Sequence, residues 1–174
     1  MVKHGKEDIM AISLVVKTTD TSTGSSPASI AVAALNYAAD WRVRSQSTGE
    51  EILTNITAPT SYPETMRFAW NQVSDIYAGT DVEKALYLPT RRGLSFVVQL
   101  KSIYGLSDSA DAAYAAALPM SSHLVVKVPN NELITASVVK THIARMLAGL
   151  FDTGSTTNAR LESLMRGVLT PSDL

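Results

Sequence analysis

The chain has 174 residues, of which 45% are hydrophobic and 18% charged, with a formal net charge of −1 and no cysteine. That length and composition fit one globular domain with a sizeable core and exclude wholesale disorder. The charge gives no bulk cationic signal for nucleic acid or membrane, so any anion-binding surface must be a local patch, and the lack of cysteine excludes disulfides, thiolate metal sites and a cysteine nucleophile.

The start, "MVKHGKEDIMAISLVV", is basic. An acidic pair interrupts it, and its apolar run is too brief for a signal peptide. No apolar run approaches the roughly 20 residues of a membrane span. The expectation is a soluble, non-secreted protein with no membrane partner. Residues 1–10 read as a polar arm, either disordered or touching neighbours, and Met10 offers a second start.

"ISLVVK" at 12–17 and "ASIAVAAL" at 28–35 flank a Gly/Ser/Pro-rich turn, which predicts a hairpin over 12–35. In "DWRVRSQS" at 40–47, Trp41 and Val43 alternate with Arg42 and Arg44, the period of a half-exposed strand. "ILTNITAP" reads as a short extended piece. Its Asn55 sequon carries no meaning in a non-secreted chain. In "ETMRFAWNQVSDIY", Met66, Phe68 and Trp70 face one way, and Arg67, Ala69 and Asn71 the other. Residues 78–93 form a longer connection in which Arg91–Arg92 fits either an RNA contact or a solvated turn.

"LSFVVQLKSIY" puts Leu94, Phe96, Val98 and Leu100 opposite Ser95, Val97, Gln99 and Lys101. The alanine-rich stretch 105–119 reads as a long loop closed by Pro119. In the strand at 121–128, Leu124, Val126 and Val128 oppose Ser121, His123, Val125 and Lys127. Two helices come next, over 133–170. In the first, Val138, Val139, His142, Ile143, Met146, Leu147, Leu150 and Phe151 recur at helical spacing. Thr135 suits its N-cap and Gly154 its C-terminal end. In the second, Thr156 or Thr157 is the cap, Leu161, Leu164, Met165 and Val168 form the stripe, and Gly167 and Pro171 end it.

Strands first and helices last predict a single α+β domain over 1–174, with an antiparallel meander at 40–129. One sheet face is apolar (Met66, Phe68, Trp70, Phe96, Val98, Leu124 and Val126), and the helices must cover it. A short linker leads from the last strand, at the sheet's edge, into the first helix. If a second copy extends that edge, the helices lie across both sheets and the chain is an obligate homodimer. The interface would then hold Val126, Val128, Val139, Ile143, Met146, Leu147, Leu150, Leu161 and Leu164.

This layout resembles the coat proteins of single-stranded RNA bacteriophages, the leviviruses. The likeness rests on "RRGLSFVVQLKSIYG", the long loop, "HLVVKVPNN", and then "ITASVVKTHIARMLAGLFDTG" with "NARLESLMRGVLTP". It is strongest over 94–170, and the segments at 12–35, 40–47 and 64–77 fit the rest. The resemblance implies dimers formed by edge pairing of the last strand, with helices interlocked over the partner's sheet. It implies a quasi-equivalent icosahedral shell, assembled in the bacterial host's cytoplasm and enclosing single-stranded genomic RNA. It also implies that the sheet's polar face looks inward and, in many members, binds an RNA hairpin. The long loop would meet its copies around the symmetry axes. The chain exceeds the usual family length at 1–10, 48–63 and 78–93, and lacks the loop cysteines that some relatives use for cross-linking.

Alternation gives the inner-face candidates: Arg42, Arg44, Arg67, Asn71, Gln99, Lys101, His123 and Lys127. Arg and Lys neutralise phosphates, while Asn, Gln and His read exposed bases. The plainer reading is that any sheet needs a solvated face, and a register slip of one residue would reverse every assignment. His123 reads as a surface residue, His142 as a buried core histidine and His4 as part of the arm. None has ligand spacing, so neither metal nor other cofactor is expected. No Gly-x-Ser-x-Gly, phosphate-cradling loop or His-Glu-x-x-His is present, which disfavours an enzyme. A self-assembling coat protein and a dimeric RNA-binding regulator that does not assemble both fit. The long loop and the near-zero charge favour the coat protein.

Overall fold

The computed structural model describes residues 35–107, 115–150 and 159–168. Their elements are α1 (Tyr37–Asp40), β1 (Trp41–Ser47), β2 (Glu50–Asn55), β3 (Thr65–Val73), a 3-10 turn (Lys84–Leu86), β4 (Gly93–Ser107), β5 (Ala115–Pro129), α2 (Ala136–Ala148) and α3 (Ala159–Met165). The chain divides into a sheet unit, 32–130, and a second unit holding α2 and α3. The hairpin expected over 12–35 and the arm at 1–10 lie outside the described residues.

The sheet unit is a five-stranded meander in the order β1-β2-β3-β4-β5, each neighbouring pair antiparallel. Strand and helix order match the α+β expectation. The β1–β2 turn needs Gly49, whose φ of 81° is left-handed. A Cβ there would also meet the Trp70 carbonyl oxygen at 3.0 Å. The ladder slips between Val43 and Ser45, leaving Arg44 as the extra residue of a β-bulge.

The bulge leaves the face assignment of Arg42 and Arg44 intact but alters the pairing beyond them. Beyond the bulge Ser45 pairs with Ile52, which its own pairing with Arg67 sets on the polar face, so Ser45 joins that face. Glu51, opposite Phe68, lies on the apolar face by the regular β2–β3 register.

Of the loop expected over 105–119, residues 105–107 and 115–119 are strand, and 108–114 lie outside the described residues. Pairing continues from Lys101↔Ser121 through Ile103↔Pro119 and Gly105↔Ala117 to Ser107↔Ala115. Proline lacks the N–H that a central strand needs, but β5 is an edge strand, where Pro119 loses nothing. Gly105 is fitted to a neighbour, because a Cβ there would approach the Tyr62 ring to 3.0 Å.

The buried hydrophobic residues among those described are Trp41, Met66 and Val126. Cross-strand register puts all three on one face. Tyr37 of α1 packs beside Trp41 and Phe68, with ring centroids 6.3 and 6.4 Å apart. Its hydroxyl donates to Met66 Sδ at 3.5 Å. Much of the same face stays open: Val43 and Trp70 are exposed.

In the helical unit, α2 starts after Thr135, which has the extended backbone of an N-cap but makes no side-chain capping bond. The helix gives way at Gly149, ahead of the expected end, while Gly154, Thr156 and Thr157 lie outside the described residues. Gly167 closes α3 as expected. Its φ is 77°, and Val168 N–H donates to Ser163 C=O and Gly167 N–H to Leu164 C=O, each at 3.0 Å. That pair of bonds is the Schellman arrangement.

No residue of α2 is buried. Val139, Ile143 and Leu147 are half-buried, but His142 and Met146, one turn apart, are exposed. The buried core histidine expected at 142 is therefore corrected. The apolar stripe is wider than the flank this single chain covers, and His142 falls on the open side.

Candidate functional surface

Antiparallel pairing sets directly opposed residues on one face, so the register assembles the polar face row by row. One row reads Arg42, Thr54, Thr65, Lys101, Ser121. The next reads Ser45, Ile52, Arg67, Gln99, His123. Further along, Asn71, Ser95 and Lys127 align across β3, β4 and β5. With Arg44 added by the bulge, all eight candidates from alternation share this face. Ser45, Thr54, Thr65, Ser95 and Ser121 join them. Alternation within single strands marks Thr65, Ser95 and Ser121, whereas Ser45 was hidden because a bulge leaves no trace in periodicity.

The cations divide by what they touch. Arg42 is committed to the backbone. Its Nη1 donates to Trp41 O at 2.8 Å, Ala38 O at 2.9 Å and Ala39 O at 3.4 Å, satisfying carbonyls at the end of α1. Arg67 Nε donates to Glu50 Oε1 in an ion pair, with both side chains partly exposed. Among the described residues, Arg44, Lys101 and Lys127 have no ion-pair partner. These three supply the unneutralised positive charge of the face.

Gln99 is buried beneath its neighbours at 8% exposure. Its Nε2 lies 2.6 Å from His123 Nε2 on the adjoining strand. The amide nitrogen is the donor, so the ring nitrogen accepts. Arg44, Ser45, Ile52, Thr65, Arg67, Gln99 and Lys101 line a depression of about 450 Å³. A second, of about 500 Å³, shares Arg44, Thr65 and Lys101 and continues over Pro63, Ile103, Pro119 and Ser121. The result is a shallow cationic trough with polar and apolar floor segments, open to solvent. It suits a flexible polyanion better than a small enclosed substrate.

A carboxylate network fixes the wall of this trough. Glu64 Oε2 accepts from Asn55 Nδ2 at 2.7 Å, and Glu64 Oε1 accepts from Ser102 Oγ at 2.9 Å. Asn55 Oδ1 also accepts from Thr57 N at 2.9 Å and Thr57 Oγ1 at 2.7 Å. The Asn-Ile-Thr triplet thus has a structural job, tying 55–64 to β4.

The residues expected at a dimer interface fall in both units. Val126 is buried and Val128 half-buried on the apolar face of β5. Val139, Ile143, Leu147, Leu150 and Leu161 are half-buried, and Met146 and Leu164 are exposed. Among the described residues no group of three His, Asp or Glu could hold a metal ion. No described helix is long and apolar enough to cross a membrane.

Neither the family models nor the curated proteins contain a match to this chain. Solved structures do. The virus-like particle of bacteriophage AVE015 is similar over 93% of this chain and 100% of its own, with 26% identity and a TM-score of 0.83. The chain has a bacteriophage coat-protein fold. The virus-like particle of bacteriophage GQ-112 repeats the fold at 16% identity and a TM-score of 0.78, covering 91% of this chain and 98% of its own. The AVE015 neighbour is a structural protein and not an enzyme.

Proposed function

We propose that this chain is the coat subunit of a single-stranded RNA bacteriophage. It dimerises, builds a many-copy icosahedral shell as part of the virion, and turns its polar sheet face to the packaged RNA. The observation that carries the reading is the end-to-end likeness to the AVE015 particle subunit, which leaves almost none of this chain unmatched.

Two features of the chain support the finer claims. Among the described strands β5 pairs with β4 alone, which leaves its outer backbone groups available to a second β5. The exposed Met146 and Leu164, with the half-buried remainder of the stripes, supply apolar surface for that second copy. For RNA, Arg44, Lys101 and Lys127 offer phosphate contacts, and the exposed His123 and Asn71 offer donors and acceptors to unpaired bases, with Gln99 beneath holding the His123 ring.

Expression followed by electron microscopy and extraction of bound nucleic acid tests the reading. Uniform virus-sized particles containing RNA are expected. A stable dimer that binds an RNA hairpin but never forms particles would instead favour a non-assembling RNA-binding regulator.

A further inference from the structure

The β3–β4 connection, 74–92, keeps strand geometry at its foot. Ile76 N donates to Arg91 O at 2.8 Å, and Asn130 N donates to Arg92 O at 3.0 Å. Ile76 follows β3 and Asn130 follows β5, so these successive carbonyls point to opposite neighbours of β4. That is the alternation of a strand, carried past Gly93 to Arg91, and side chains alternate with it. Ser95 shares the polar face with Asn71 and Lys127, and Gly93 is two residues on. Arg91 therefore falls on the polar face and Arg92 on the apolar one. Ile76 lies against this end of the sheet, since a Cβ on Gly93 would meet its Cδ1 at 2.9 Å.

The Arg91 side chain has a shelf. Its guanidinium carbon lies 5.3 Å from the Tyr87 ring centroid. Tyr87 stacks on Tyr77 with centroids 4.1 Å apart and planes 10° from parallel. Tyr77 is fixed in turn: its N–H donates to Asp75 Oδ1 at 3.0 Å, and its hydroxyl accepts from Leu88 N at 3.1 Å. A guanidinium packed on a ring keeps its N–H groups available to an oxyanion. Arg91 is exposed and has no ion-pair partner among the described residues. The loop's acids do not fill that place. Asp75 is taken up by the Tyr77 N–H, and Asp81 and Glu83 belong to the tip that the tyrosine stack closes off. A solvated turn has no need of an aromatic shelf, which costs the arginine rotamer freedom.

The position suits a bound strand. Lys101 marks the trough, about 33 Å from Arg91 along the β4 direction. Lys127, opposite Ser95, lies between them, about 13 Å short of Arg91. These three unpaired cations follow the length of one face. We propose that Arg91, held on the Tyr77–Tyr87 stack, is a phosphate contact for single-stranded RNA that carries the polar face beyond its sheet, and that Arg92 beside it is not. This rests on the reading that the polar face meets RNA, and it assigns the 74–92 loop to the same ligand.

The neighbouring arginine supplies the control. A fluorescent oligouridine long enough to span the face is titrated by anisotropy with the full chain freed of nucleic acid, across a salt series. Arg91→Gln is expected to weaken binding about fivefold at about 0.1 M salt and to make log K against log salt shallower by about 0.7, the worth of one phosphate. Arg92→Gln makes the same change in net charge and is expected to stay within about twofold, with the wild-type slope. An equal or greater loss from Arg92→Gln overturns the assignment, by reducing the effect to net charge or placing the contact on the other face. No loss from Arg91→Gln, while Lys101→Glu still weakens binding, overturns the loop contact and leaves RNA on the sheet. A wild-type chain that does not bind the oligouridine removes the polar-face reading itself, and the loop contact with it.

Discussion

The two faces of one sheet are finished to different degrees. On the polar face, Gln99 and Ser95 are buried within the chain, Gln99 meets His123, and Arg67 meets Glu50. That face is organised without help. On the apolar face, Trp41, Met66 and Val126 are buried, yet Trp70 is 51% exposed, and a concavity of about 590 Å³ opens over Val43, Leu53 and Phe68. The difference separates a face whose polar groups are satisfied within the chain from one that leaves apolar area open, and the proposed dimer would use that area.

Substitutions can break or sharpen that contrast, and the largest effect is expected on the apolar side. Leu147→Asp puts a charge into the α2 stripe, and an unpaired buried charge costs several kcal/mol. Loss of the dimer by analytical ultracentrifugation is expected; an unchanged dimer would place the stripe outside the interface. Gly93→Ala comes next. Its Cβ would lie 2.7 Å from the Val128 carbonyl oxygen and 2.9 Å from Ile76 Cδ1, an overpacking worth about 2 kcal/mol. A clear drop in melting temperature, with assembly preserved on cooling, is the expected result.

The polar side should respond in function with little change in fold. Lys101→Glu reverses an unpaired cation and should weaken RNA binding about tenfold while flattening its salt dependence. Filter binding across a salt series measures both. Arg67→Ala with Glu50→Ala removes the ion pair without changing the net charge of the face. It should leave RNA affinity within about twofold and stability within about 1 kcal/mol, as for other exposed pairs. A large loss of affinity from the double variant would show that Arg67 contacts RNA by itself.

Much of this contrast was legible from residues alone. Alternation in "MRFAW", "LSFVVQLK" and "HLVVKV" separates the faces because side chains of a regular strand alternate sides. It placed all eight polar-face candidates on one side. The bulge at Arg44 was not legible, since an extra residue leaves composition unchanged, and it moved Ser45 to the polar face. Alanine-rich 105–119 looked like a loop because alanine favours helices and Pro119 breaks ladders. For 105–107 and 115–119 tertiary context decided otherwise: an edge position tolerates the proline, and Tyr62 covers Gly105. The loop stack of Tyr77, Tyr87 and Arg91 joins residues separated in sequence, and no local pattern announces it.

Sedimentation velocity of the purified chain at micromolar concentration addresses the central claim, that the apolar face is completed by another copy. The account expects dimers or intact particles and no folded monomer. A compact, cooperatively folded species of 18.7 kDa that persists without association would contradict it.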